Sequence, residues 1–311
     1  MSVAIARTAA GYRGDPFVAE LSLMLITPAL FAANMVAARW AQGAAIPPLF
    51  LAFGRWALAF LLILPFVAPR LWAWRQVLMA NWARLLLLAG LGMGVAVAPQ
   101  YIGAHNTSAA NVALIFAVCP VLIALIETIV WRAPLQMRQA VGMLLAIAGV
   151  LVVVTRGEGF TGGALAFGQG DLWVLLAACG WALYTVFGKR HPLPRLPGTV
   201  RLAALIGGGA LVLAPFALLE SASGVVPDFG DGRLYAALCF LAIVPSLGAY
   251  YCYDRLVGVA GAAGAGVSMY MVPLYAALAA WPLLGEAPQV FHLAGFGLIL
   301  AGVLLSGMKK A

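Results

Sequence analysis

Charge is scarce in this sequence. Only 9% of its 311 residues are Asp, Glu, Lys or Arg, while 64% are hydrophobic and the mean hydropathy is +1.02. Soluble domains carry roughly a quarter charged residues, so a soluble globular chain is excluded. Acids are scarcest, ten in all, and they offer no paired carboxylates within the apolar runs. No HExxH or GxSxG occurs either, so nothing in the chain assembles hydrolytic or group-transfer chemistry. The four cysteines (Cys119, Cys179, Cys239, Cys252) stand singly in apolar stretches and read as small core residues. His105 sits at a span end, and His191 and His292 lie in loops or near surfaces. Neither metal nor cofactor is expected.

What the chain has in abundance is long apolar runs. A helix needs about 20 mostly apolar residues to cross the hydrocarbon core. Ten stretches qualify: 20–39, 48–67, 84–104, 108–129, 138–155, 171–189, 200–219, 234–254, 262–283 and 291–308. They are continuous rather than alternating and too long for barrel strands, so helices are expected. The first is longer than the apolar part of a signal peptide, about 7–15 residues, and reads as an uncleaved span.

Net charge +8 would suit nucleic acid, but the cations lie in short loops between apolar runs. On the side of the N-terminus fall Arg7, Arg13, Arg70, Arg75, Arg84, Arg132, Arg138, Lys189, Arg190, Arg195, Arg201, Arg255, Lys309 and Lys310; the other side has Arg39, Arg156 and Arg233. The positive-inside rule puts both termini in the cytoplasm, and no nucleic-acid partner is expected.

The sequence is written twice. At an offset of 153, Ala109-Ala110, Pro120, Gly142 and Ala148 to Leu151 meet Ala262-Ala263, Pro273, Gly295 and Ala301 to Leu304. At an offset of 150, Ala32, Val36, Arg39 and Pro65-Phe66 meet Ala182, Val186, Lys189 and Pro215-Phe216. Five spans per copy is an odd number, so the second copy enters the bilayer in the opposite sense. The expected organisation is a cytoplasmic segment 1–19, a repeat 20–155, a periplasmic connection 156–170, an inverted repeat 171–308 and a cytoplasmic tail 309–311. Inverted repeats suit alternating access, because two equivalent halves can exchange conformations around one central site.

Several residues need explaining. Pro120 and Pro273 fall near the middle of spans four and nine and free the carbonyls of Phe116 and Met269. Packing kinks and hinges that expose carbonyls to substrate are both open readings. Arg55 is the only full charge well inside a span, and an intramembrane ion marks a functional hypothesis, here a partner for a substrate carboxylate. Pairing with helix-end carbonyls or loop acids is its structural alternative. Asn34 and Tyr184 are repeat mates and form the best pocket pair. Trp181, Gln100, Tyr101, Asn111, Tyr250 and Tyr270 complete the expected lining of a central cavity. Small residues, Gly90, Gly92 and Gly94 on span three, Ala109-Ala110 opening span four and Gly261 to Gly266 opening span nine, permit close helix approach.

Gly285-Glu286 followed by Gly295-Phe296-Gly297-Leu298-Ile299-Leu300-Ala301-Gly302-Val303, with Phe53-Gly54-Arg55-Trp56 in the second span, resembles the EamA family of the drug/metabolite transporter superfamily. The first copy has Trp131-Arg132 where the second has the Gly-Glu pair. In general shape the chain is similar to the YddG-type amino-acid exporters of that family. The resemblance implies a basket-like bundle of ten helices in two inverted repeats, a central cavity, residence in a bacterial inner membrane and export of amino acids or related metabolites. With both halves of the pathway in one chain, a functional monomer is expected.

Two transport mechanisms follow. The first is a secondary carrier exporting small zwitterions, whose ammonium would rest on aromatic faces at about 0.5–2 kcal/mol. The alternative is a proton-coupled exporter of cationic drugs, which needs an intramembrane carboxylate. Only Glu20, Glu127 and Asp254, all near span ends, could be offered for it.

Overall fold

The structure, a computed structural model, describes residues 16–132, 136–156 and 168–307. Its long helices are α1 (Pro16–Gly43), α2 (Pro48–Ala73), α3 (Trp82–Gly103), α4 (Ala109–Trp131), α5 (Met137–Val154), α6 (Gln169–Arg190), α7 (Gly198–Ala222), α8 (Gly232–Gly261), α9 (Gly264–Leu284) and α10 (Val290–Gly307). Among the described residues the first nine are long and apolar enough to cross a membrane, and α10 is a shorter apolar helix. The protein is an all-helical membrane protein of two five-helix halves. Most of the expected connection 156–170, the N-terminal segment up to residue 15 and the tail 309–311 lie outside the described residues.

In hydrocarbon, helices must satisfy their own backbone, so the residues at their ends matter. The Glu220 carboxylate at the end of α7 accepts hydrogen bonds from the N–H groups of Leu49 (3.1 Å) and Phe50 (2.7 Å) at the start of α2. Ser108 accepts from the Asn111 N–H to open α4, and Gln136 and Gln139 cap each other at the start of α5. We expect Glu220→Ala to cost about 1–2 kcal/mol, read as a lower unfolding temperature in detergent, because it strips an anionic acceptor from a helix N-terminus.

Helix contacts map onto themselves when the halves are exchanged. α1 packs on α8 and α9; its counterpart α6 packs on α3 and α4. α2 meets α7, α4 meets α9 and α5 meets α10. The α5–α10 seam is self-complementary at atomic level. A Cβ on Gly149 would stand 2.7 Å from the Gly295 carbonyl oxygen, and one on Gly302 would stand 2.4 Å from that of Gly142. Since Gly142 and Gly149 are the repeat mates of Gly295 and Gly302, each contact is the image of the other, as a two-fold requires. The halves also run oppositely. Arg39, near the end of α1, reaches the carbonyls of Ala104 and His105, while α6 begins beside them, with Asp171 bonded to Thr107. These contacts are consistent with inverted repeats.

Three matched irregularities interrupt the helices. α3 is π-helical over Gly90–Val95 and α8 over Ala242–Gly248. α4 breaks at residues 117–118, before Cys119–Trp131, and α9 tightens to a 3-10 turn over Met269–Met271. α4 and α9 both end in a left-handed residue, Arg132 (φ 52°) and Gly285 (φ 72°). That aligns Arg132, rather than Trp131, with Gly285. A left-handed residue with a Cβ costs roughly 1–2 kcal/mol, so Arg132→Gly should raise the unfolding temperature, by an amount equivalent to about 1 kcal/mol.

Candidate functional site

The site grows from Arg55. Placed two turns into α2, it is 2% exposed. Its Nε donates to Ser246 Oγ on α8 (2.9 Å), and its Nη1 donates to Asn34 Oδ1 on α1 and to Tyr101 Oη on α3 (2.6 Å). The Tyr101 hydroxyl in turn donates to Asn34 Oδ1 at 2.8 Å. Both π-helical segments serve this cluster. The one in α8 lets Ser246 donate to the Leu241 carbonyl five residues back (2.7 Å), and the one in α3 presents the Met93 carbonyl to Trp56 Nε1 (3.0 Å). The guanidinium carbon stands 4.2 Å from the Trp56 ring centre. Among the described residues no carboxylate pairs with Arg55, and no hydrogen bond occupies its Nη2.

Beside it lies a cavity of about 80 Å³ between the halves. Of the residues expected there, Asn34, Arg55, Gln100, Trp181 and Tyr250 line it. Gln100 is 2% exposed and its Nε2 has no partner. Tyr101 contributes through its hydroxyl on Arg55. Tyr184 stands next to the lining rather than in it, tilted against Trp181 at 5.4 Å between centres and packed on Gly92, where a Cβ would come within 2.7 Å of its ring.

Two expected residues are elsewhere. Asn111 lies in a buried polar chain near the start of α4: Asn111 Nδ2 donates to Thr107 Oγ1 (3.2 Å), Thr107 donates to Asp171, and Asn111 Oδ1 meets His292 Nε2 (3.0 Å). The Gln289 N–H donates to His292 Nδ1 (2.8 Å), so Nε2 carries the ring proton. Tyr270 packs on the α5–α10 cluster. Pro120 and Pro273 each open a helical segment just past a break, but the Met269 carbonyl is not freed, because the 3-10 turn gives it the Val272 N–H. Phe31, Met35, Trp56, Phe116 and Pro245 also line the cavity and were not anticipated. Three of them carried a signal: Trp56 beside Arg55, Phe116 as the residue whose carbonyl Pro120 leaves without its N–H, and Pro245 as a proline within span eight.

Charged tethers join the halves at the two ends of the bundle. At one, Arg39 Nε pairs with Glu286 Oε1 (2.8 Å), whose Oε2 accepts from the Ala109 N–H opening α4 (2.9 Å). At the other, Lys189 pairs with Glu127 (2.7 Å). Burial first, and Arg39 second, hold the His105 imidazole below its ordinary pKa. A depressed histidine contributes stability that is lost as pH falls through the unfolded value of about 6.5. The protection factors of the amides at residues 104–108, corrected for the intrinsic pH dependence of exchange, should therefore fall on acidification below that value, and His105→Gln should remove the effect.

The description "EamA-like transporter family" matches residues 19–155 and 168–308. An "Uncharacterized transporter" of Archaeoglobus fulgidus is 29% identical over 271 residues, 85% of this chain and 89% of that one. A "Probable amino-acid metabolite efflux pump" of Salmonella typhimurium is 30% identical over 57% of this chain and 60% of its own length. A solved structure, "Crystal structure of protein", superposes with TM-score 0.62 at 21% identity, covering 92% of this chain and 96% of that one; it speaks to the fold. With the family's pattern matched in both halves around a common cavity, the chain belongs to the EamA-like transporter family and is a membrane transporter.

Proposed function

We propose that this protein is a secondary carrier exporting small carboxylate-bearing metabolites, amino acids first among them, across the bacterial inner membrane by alternating access. The observation that carries the reading is Arg55, a buried cation beside the central cavity with no carboxylate partner among the described residues. A guanidinium is weakly hydrated and forks onto planar oxyanions, so a substrate carboxylate is its natural complement. The ring faces of Trp181 and Tyr250 offer an ammonium a cation–π contact of about 0.5–2 kcal/mol. The name of the Salmonella relative, "Probable amino-acid metabolite efflux pump", points the same way. An "Uncharacterized inner membrane transporter YedA" of Escherichia coli, 27% identical over 84% of this chain and 80% of its own, supports the location. Termini in the cytoplasm and a functional monomer complete the proposal.

Export of cationic drugs is the poorer fit, since among the described residues no Asp or Glu lines the cavity and Glu127 is engaged by Lys189. Liposomes holding the purified protein should take up labelled amino acids with saturation in a panel of the twenty; absence of flux for all of them would overturn the reading. In the same assay Asn34→Ala should lower kcat/KM about tenfold, because Asn34 Oδ1 receives both Arg55 and Tyr101.

A further inference from the structure

We infer that Arg55 and Gln100 are the two arms of a carboxylate clamp, so that the acid group rather than the ammonium is what this carrier requires of a substrate. The inference rests on the proposed function and narrows it.

The cavity wall carries an imbalance of hydrogen-bonding groups. Arg55 uses Nε and Nη1 on Ser246, Asn34 and Tyr101, which leaves Nη2. Gln100, one residue before Tyr101 on α3, lines the same cavity with Nε2 buried and unpartnered. A buried donor without an acceptor costs roughly 1–3 kcal/mol; Gln100 Nε2 is such a donor, and the Nη2 of Arg55 is left for a ligand, so the pair suits a group with two acceptor oxygens. A carboxylate has that form and also neutralises the guanidinium.

Asn34 Oδ1 already receives two donors and Ser246 Oγ is engaged by Arg55. An ammonium could still turn to Gln100 Oε1 or the Tyr250 hydroxyl oxygen, but next to the guanidinium it meets a like charge, which a carboxylate does not. Most of the remaining lining is aromatic or aliphatic, with the rings of Trp181, Tyr250, Phe31 and Phe116 among it. Those rings tolerate an ammonium and equally accept a hydroxyl or a methyl group. The substrate class is therefore small monocarboxylates, 2-amino and 2-hydroxy acids alike, and excludes amines and amides of the same size.

Four probes of one shape separate the possibilities: L-alanine, L-lactate, L-alaninamide and ethylamine, titrated calorimetrically into the purified full-length chain. Alanine and lactate should bind within about threefold of each other, and the amide and amine at least about thirtyfold more weakly. Gln100→Met keeps the length of the side chain and removes the donor; it should weaken both acids roughly fivefold to tenfold and leave the amide and amine unchanged. A merely structural role for Gln100 would not change the ratio of acid to amide affinity. Alaninamide binding as tightly as alanine, lactate failing to bind where alanine does, or an unchanged ratio in Gln100→Met would each overturn the clamp and leave the carrier reading standing. Binding of ethylamine alone, or of none of the four together with no flux in the amino-acid panel, would overturn both.

Discussion

Arg55→Leu should stop transport, lowering the initial rate of liposome uptake by more than about 100-fold, while the protein unfolds at a temperature no lower than the unsubstituted chain. Loss of function follows from losing the cation that holds the substrate; truncating a buried, hydrogen-bonded charge of this kind costs binding roughly 2–5 kcal/mol. Stability is preserved because the groups left behind are not orphaned. Asn34 Oδ1 keeps the Tyr101 hydroxyl, and Ser246 keeps the Leu241 carbonyl. A buried ion replaced by an apolar side chain of similar volume is often neutral or stabilising, and sites bound to function commonly hold such strain. Arg55→Lys separates charge from shape. An ammonium is a point donor and cannot reach Ser246, Asn34 and Tyr101 while presenting a further N–H, so activity should fall at least tenfold despite the retained charge. Uptake in Arg55→Leu within a few fold of normal would remove the central support of the proposed function.

The second large effect lies far from the cavity. Gly302→Ala should destabilise the protein by about 3 kcal/mol, read from its unfolding in detergent. Its added Cβ would fall 2.4 Å from the Gly142 carbonyl oxygen and 2.6 Å from the Ala146 nitrogen. Both are backbone atoms inside a helix, and only separation of α5 from α10 relieves them. Helices in lipid associate through close packing of this kind, without a hydrophobic force to compensate for a gap. Gly149→Ala should behave alike, because it meets the Gly295 carbonyl in the two-fold-related contact. Gly297 supplies the control on the same helix: a Cβ there has no atom within 4 Å, so Gly297→Ala should be close to neutral. Equal melting of Gly302→Ala and Gly297→Ala would contradict the seam.

Much of this architecture is legible in the chain itself. Apolar run length marks the helices, and the repeat at offsets of 150 and 153 marks the two halves and their opposite sense. Arg55 stands out because a lone charge in a hydrocarbon-length run is conspicuous. The rest is hidden for physical reasons. Helices that are apolar on every side give no rotational phase, so Asn111 and Tyr270 look as eligible for the cavity as Tyr250. The ends of α2 and α8 extend past the apolar runs to Ala73 and Gly261, since a helix continues through an interfacial stretch that hydropathy scores as loop. π-helical turns leave no compositional mark, yet those in α3 and α8 set the partners of Trp56 and Ser246. The Met269 carbonyl shows that a proline's missing N–H does not by itself expose an acceptor when the preceding turn can tighten.

The charged contacts at the two ends of the bundle are alike in topology and unlike in strength. Arg39 is held by Glu286, Gln42 and two backbone carbonyls, with its side chain only 29% exposed, whereas Lys189 has a single carboxylate and is 65% exposed. Exposed pairs are worth about 0–1 kcal/mol and fade with ionic strength. A molecule assembled from two copies of one unit thus has a firmly tethered end and a loosely tethered one. Added salt or heat should loosen the Lys189 end first, so duplication has left the two ends of the bundle mechanically unequal.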